Sequence, residues 1–288
     1  APLIGLRKDF PLNLPHINSY THGDYVRPCI YAGSLSELMH REGFDAIVDQ
    51  TVEWLCKAAA GNLISATQGW EHTRRDETSG TVVFDADQLV SLLRQTGGHV
   101  RLPSLFRSLD GHKHVIVNNN PDAKEQVWYM VREHKDSLGH WTEGKTCTFL
   151  AGPPIDQATG TFPVFDTYEP ETVKTFDDLK NRADHFDIDG NGLAKALNDF
   201  LRGSQKVGKS FSWSCGFHVV VILAVHRPLP LISAYGRSVE LLPYIVHYTP
   251  LPRRDSLTLA KVEPAFHLQR VTPKVLREVS GTSDEAAG

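Results

Sequence analysis

An apolar run that begins just after a cysteine constrains this 288-residue chain more than any other segment: Cys215-Gly216-Phe217-His218-Val219-Val220-Val221-Ile222-Leu223-Ala224. A stretch this apolar has to be buried on nearly every side, so it lies near the centre of whatever core forms. If it is a helix, the Cys215 thiol sits at the helix N-terminus. There, unpaired backbone N–H groups and the helix dipole stabilise a thiolate. Gly216 then leaves room for a substrate carbonyl to approach the sulfur. The same residues also fit a buried structural cysteine. Five of the nine residues 217–225 are Val or Ile, which favours a strand. Periodicity alone does not decide between the two.

Composition narrows the field around that run. A hydrophobic fraction of 41% and a charged fraction of 22% are those of an ordinary globular chain. A net charge of −4, with no basic run longer than Arg253-Arg254, argues against nucleic acid as a direct ligand. The four cysteines (Cys29, Cys56, Cys147, Cys215) form no CxxC, so neither a zinc ribbon nor a dense disulfide framework is expected. Residues 1–9 hold no apolar h-region, and 217–225 is far short of the roughly 20 residues that span a bilayer. The chain therefore reads as intracellular, in cytoplasm or nucleus, away from the membrane, and monomeric.

Along the chain, residues 1–34 are rich in Pro, Asn, Gly and His and read as an irregular arm. Apolar spacing from Leu35 to Cys56 predicts one or two helices. Asp85 is placed to cap a short helix that stops at Gly97-Gly98. Short strands are expected at 114–117, 127–131 and 146–150, and a hairpin turn at 155–161 leading into a strand at 162–168. Helices follow at about 173–183 and 192–203, an apolar run at 241–248, and one further helix at 273–279. Three domains follow from this layout. They are an N-terminal arm and helical region (1–112), a core with a central sheet and the Cys215 segment (113–250), and a C-terminal tail (251–288).

A cysteine hydrolase needs a thiolate, a histidine to move the proton, and a carboxylate or amide to orient that histidine. Asp166, at the exit of the apolar segment 162–165, is a candidate for the third role. Three features together resemble the sentrin/SUMO-protease (SENP-type) cysteine peptidases of ubiquitin-like proteins. These are a His-Trp pair (His140-Trp141), the segment Val164-Phe165-Asp166-Thr167-Tyr168, and Trp213-Ser214-Cys215-Gly216 before an apolar run, 49 residues beyond Asp166. Adenovirus-type endopeptidases and YopJ-type effectors are more distant relatives of that family. The resemblance covers about residues 113–226, roughly 40% of the chain. It implies an α+β, papain-like fold with a small central mixed sheet packed by helices, and it makes the run after Cys215 a helix.

It also implies a thiol protease or isopeptidase that processes a ubiquitin-like (SUMO-type) or polyprotein substrate at a glycine-containing site. Cys215 would be the nucleophile, His140 the proton carrier and Asp166 its orienter. Trp141, Trp213 and Gly216 would line the substrate channel, and the mechanism needs no cofactor and no metal. Two departures from the family pattern stand. In a competing register Val127 occupies the histidine position, which implies a pseudoenzyme that binds a ubiquitin-like partner without cutting it. His134 and His114 are further candidates for the histidine. The family's oxyanion glutamine has no match at the expected offset, where Lys209 and Ser210 stand, so Gln205, ten residues before the cysteine, is the nearest substitute. An acyltransferase of the YopJ type would use the same triad.

Elsewhere, Asp187-Ile188-Asp189-Gly190-Asn191-Gly192 matches the first half of a calcium loop. Asn198 stands where the bidentate Glu would be required, so the segment reads better as an acidic turn whose Asn191 caps the helix at 192–203.

Overall fold

A computed structural model describes residues 4–7, 9–22, 25–31, 33–109, 112–118, 132–136, 139–156, 158–207, 217–232, 236–248 and 259–270. The chain divides into two compact units. The first comprises residues 1–76, 164–172 and 226–240, and the second residues 77–163, 173–225 and 241–288.

In the first unit, β1 (Leu6–Arg7), β2 (Ile17–His22) and β3 (Tyr25–Pro28) form an antiparallel sheet in the order β1-β3-β2. The segment expected to be an irregular arm is thus partly strand. Helices α1 (Leu35–Glu42) and α2 (Phe44–Ala59) follow where the apolar spacing placed them. Ser34 caps α1 by accepting from the Glu37 N–H, and Gly43, at φ 87°, separates the two helices. Ile17, Val26 and Ile30 pack with Leu38, Ile47, Trp54 and Leu63 into one core.

Residues 69–70 pair with 230–232 in the same unit. The Trp70 N–H donates to the Pro230 carbonyl (2.7 Å), and the Ile232 N–H donates to the Trp70 carbonyl (2.9 Å). Gly69 makes this close approach possible. Its φ is +92°, and a Cβ built there lies 2.5 Å from the Pro230 oxygen. Because backbone cannot yield as a side chain can, Gly69→Ala is expected to cost about 1–3 kcal/mol. Urea unfolding of that variant, followed by hydrogen exchange at Trp70 and Ile232, is the check; an unchanged midpoint contradicts the strain.

The second unit is built on a mixed nine-stranded sheet. Its elements are β4 (Gly80–Phe84), α3 (Ala86–Thr96), β5 (His99–Leu109), β6 (His112–Val117), β7 (Arg132–Asp136), β8 (Gly139–Ala151), α4 (Phe176–His185), α5 (Gly190–Val207), β9 (Phe217–His226, its last residue belonging to the first unit), β10 (Val239–Tyr248, its first two residues belonging to the first unit), β11 (Lys261–Pro264) and β12 (Phe266–Gln269). The sheet order is β11-β10-β9-β8-β5-β6-β4-β12, with β7 attached to β8. Only Ala265 separates β11 from β12. The first of these pairs with β10 and the second with β4, so the path returns on itself and the sheet is nearly closed. Asp85 caps α3 by accepting from the Asp87 and Gln88 N–H groups, and Gly97 ends it. Thr175 and Asp178 form a reciprocal capping box at α4.

This architecture corrects the papain-like expectation. The large sheet dominates the unit, and the run after Cys215 is not a helix but β9, whose residues 219–225 are all buried. It pairs in parallel with β8, from Thr148 opposite Val220 to Ala151 opposite Leu223. Burial on both faces removes the apolar–polar alternation of a half-exposed strand, which is why periodicity could not identify it. The expected strand at 162–168 reduces to one isolated bridge, Val164 with His226. The strand expected at 127–131 and the helix at 273–279 lie outside the described residues. No helix among the described residues is long and apolar enough to cross a membrane.

Candidate functional site

Cys29 follows the last residue of β3 and is exposed. Its backbone is fixed: the Cys29 N–H donates to the His16 carbonyl at 2.7 Å, which draws residues 16 and 29 together across the β2–β3 pair. The thiol lies 3.8 Å from the Tyr31 carbonyl oxygen. His16 is held in an unusual conformation, with φ 57°, one of two non-glycine residues at positive φ among those described. Glu71 holds it there. The His16 N–H donates to the Glu71 carboxylate, and His16 Nδ1 lies 3.3 Å from Glu71 Oε2.

Burial first, and then the negative charge of Glu71, pushes the Cys29 thiol above its ordinary pKa. Glu71 is itself raised, because burial outweighs the His16, Arg74 and His72 contributions that favour its charge. Cys29, His16 and Glu71 thus form one constellation: the Cys29 backbone is bonded to that of His16, and His16 contacts the Glu71 carboxylate. A thiol with a raised pKa is a strong nucleophile once deprotonated and a poor leaving group from its thioester. The chain's other cysteine in this unit, Cys56, is exposed on α2.

Behind these residues lies a buried ionic network of the same unit. Glu240 accepts from the Thr73 N–H (2.6 Å), the Thr73 hydroxyl (3.1 Å) and Arg227 Nε (2.9 Å). Arg227 also donates to Thr73 Oγ1 and to the Thr167 carbonyl, and its guanidinium stacks 5.5 Å from the Trp70 ring. Burial opposes ionisation of Glu240, but His72, Arg227 and the Thr73 N–H outweigh it and hold the carboxyl down at about 2. This network anchors residues 70–73 immediately after Glu71.

The second unit has its own charged cluster on the buried side of the sheet. Glu263 contacts Lys113 Nζ (2.5 Å), Lys261 and His247. The lysines outweigh burial and hold Glu263 well below the usual carboxylate range. His218 stacks on Phe106 at 4.5 Å and meets His247 edge-on. Burial, with His247 and Lys113 nearby, pushes His218 down to about 3, so its ring is neutral. The cations and the carboxylate here satisfy one another.

The triad read from the sequence is distributed as follows. Asp166 is exposed, two residues beyond the Val164 bridge and in the first unit. His140 and Trp141 lie in β8, opposite Lys135 and His134 of β7, and Gln205 is in the last turn of α5; all three are in the second unit. Cys215, Trp213 and Gly216, like Val127, lie outside the described residues. The calcium-like segment is a helix cap, since Asp184 accepts from the Gly190 N–H and Asp189 from the Gly192 N–H. A groove of about 880 Å³ opens there, lined by Asp156, Asp184, Asp187, Asp189, Arg94 and His99 among others. Among the described residues no group of three or more His, Cys, Asp or Glu is placed to hold a metal.

The sequence model of the family described as Prokaryotic E2 family A matches residues 1–92. No curated protein matches the chain. The matched segment contains Cys29, His16 and Glu71, and none of the residues that carried the resemblance to SENP-type peptidases. With β9 standing where that family requires a helix, the match replaces the peptidase reading. The thiol-protease activity, the pseudoenzyme and the YopJ-type alternative are set aside with it. Sequence reasoning passed over Cys29 because no apolar run marks it. The available signal was the pairing of Leu14-Pro15-His16 with Arg27-Pro28-Cys29, two proline-led corners thirteen residues apart.

Proposed function

We propose that the first unit is an E2-type carrier of a ubiquitin-like conjugation system, with Cys29 as the residue that holds the modifier's C-terminal acyl group. The observation that carries this reading is Cys29 itself: an exposed thiol in the matched segment, with its backbone bonded to His16 and its pKa raised beside Glu71. The partner is then a ubiquitin-like protein, and the chemistry is ligase-type acyl transfer. The Cys29 thiol loses its proton, and the sulfur attacks the thioester carbonyl of a charged donor. The new C–S bond forms as the donor's breaks, and the donor thiolate leaves and takes up a proton. An acceptor amine later attacks the same carbonyl, forms the amide, gives up its proton and releases the Cys29 thiolate.

His16 and Glu71 act on this cycle by position. They fix the corner that presents the sulfur, and Glu71 adds to burial in disfavouring the thiolate.

The test uses ubiquitin carrying a C-terminal 2-mercaptoethanesulfonate thioester, with the adduct mapped by mass spectrometry after proteolysis. A dithiothreitol-labile adduct at Cys29, retained when Cys56→Ala is introduced, is the expected result. An adduct confined to another cysteine, or none in a folded protein with reduced thiols, overturns the assignment.

A further inference from the structure

Among the described residues, the nearly closed sheet of the second unit exposes an apolar stretch on its outer face, and the strand registers show that it is continuous. On β6, Val115 and Val117 are buried while His112, His114 and Ile116 face outward; on β5, Leu102, Ser104 and Phe106 are buried while Arg101, Leu105 and Arg107 face outward. Leu105 lies opposite Ile116, Ile116 opposite Val83, and Val83 opposite Leu268. Four aliphatic side chains therefore form one row across four adjacent strands, about 14 Å long at the usual strand spacing. Phe266 stands beside the row, two residues before Leu268. Leu105, Ile116, Phe266 and Leu268 are 54%, 48%, 53% and 55% exposed. Large contiguous apolar patches on a protein surface mark interaction sites.

The rim of the patch carries positive charge. Lys145 stands opposite Leu105 on β8, Arg107 follows Leu105 by two residues, and Arg270 follows Leu268 by two. All three are exposed. One acidic position, Glu143, lies in register with Arg107. β5, β6 and β4 under the row are paired on both sides, while β12 ends the strand order and pairs with β4 alone. A partner over Leu105, Ile116 and Val83 therefore binds the side chains and adds no strand there.

From this geometry we infer that the face is a docking surface for an amphipathic helix of another protein, one whose apolar stripe is edged by Asp and Glu. Apolar positions at i, i+4 and i+7 of a helix span about 10 Å, which fits within the row. The acidic edges would meet Lys145, Arg107 and Arg270. Single-stranded nucleic acid is the weaker fit, because base stacking needs aromatic platforms and the row is aliphatic apart from Phe266. The inference concerns the second unit and stands independently of the role given to Cys29.

The experiment measures binding of two fluorescent helical peptides to the full chain by anisotropy. Both carry the same leucine stripe; one is edged with glutamate and the other with lysine. The glutamate-edged peptide is expected to bind at least tenfold more tightly. Ile116→Glu, at an exposed position that leaves the core intact, is expected to abolish that binding, and Leu268→Glu serves as the second site. Arg107→Glu is expected to reverse or erase the preference between the peptides. Equal binding of the two peptides, or binding unchanged in both Glu variants, overturns the proposal. So does displacement of the peptide by oligo(dT), which would assign the face to nucleic acid. Self-association of the chain that is lost in Ile116→Glu also overturns it, since the occupant would then be a second copy.

Discussion

Glu240→Ala is expected to destabilise the first unit by about 3–5 kcal/mol, the range found when one partner of a buried ion pair is removed. The magnitude comes from what is left behind more than from what is lost. Arg227 keeps its charge with its side chain 1% exposed, and the Thr73 N–H loses its acceptor inside the structure. Pairwise deletion overstates the worth of the pair itself, so the informative comparison is a cycle with Arg227→Ala. The double variant is expected to be less damaged than the sum of the two single ones. Hydrogen exchange at residues 17–73 under increasing urea reads the unit directly. A loss below about 1 kcal/mol contradicts the role assigned to the network.

The same carboxyl sets a pH dependence. Glu240 is held at about 2 when folded, against roughly 4.3 in an unfolded chain. Its contribution, about 3 kcal/mol by linkage, is present above the unfolded value and is lost as pH falls from about 4.3 toward 2. His72 works in the opposite direction. Its bond to Glu240 raises it against burial, so its contribution is complete below roughly 6.5 and fades as pH rises through the folded value.

Much of the fold was legible where the signal was local. The helix at Asp85 could be read from its cap and from Gly97, and α1 and α2 from spacing alone, because those residues satisfy their own backbone within a few positions. β9 is the instructive failure. Its β-branched content indicated a strand, and the resemblance to a peptidase family overrode that local evidence. The overriding signal was a short motif around Cys215, which carries no information about how the following residues pair. β11 and β12 were illegible for a different reason. A single residue, Ala265, separates partners on opposite edges of the sheet, so the closure is a long-range fact with no local mark.

The candidate site was equally non-local. Glu71 reaches His16 from 55 residues away, and Glu240 reaches Thr73 from 167. No spacing rule links such residues, whereas a Cys-Gly before an apolar run attracts notice at once. Conversely, the acidic segment 187–192 looked like half of a metal loop because the residues that cap helices, Asp and Gly, also build calcium loops. Its carboxylates are already used on the Gly190 and Gly192 N–H groups.

Cys29→Ala is expected to abolish thioester formation, and Glu71→Gln to make the same thiol more reactive; together they separate the sulfur from its surroundings. Glutamine keeps an oxygen that can accept from the His16 N–H, so the corner at residue 16 is preserved while the charge disappears. Removing a negative neighbour favours the thiolate. Because Glu71 is among the causes that raise the Cys29 thiol, its pKa falls in the variant. The alkylation rate of Cys29 with iodoacetamide, measured in a Cys56→Ala background and followed by mass spectrometry, is expected to rise several-fold at neutral pH. Its pH profile shifts toward acid. The gain is smaller than the change in thiolate fraction, because a less basic thiolate is also a weaker nucleophile. A thioester formed on that sulfur is expected to hydrolyse faster than in the parent, since a less basic thiolate leaves more readily. An unchanged pH profile removes Glu71 from the site. A faster alkylation without a shorter-lived thioester retains the electrostatic effect but denies that the raised thiol protects the acyl group.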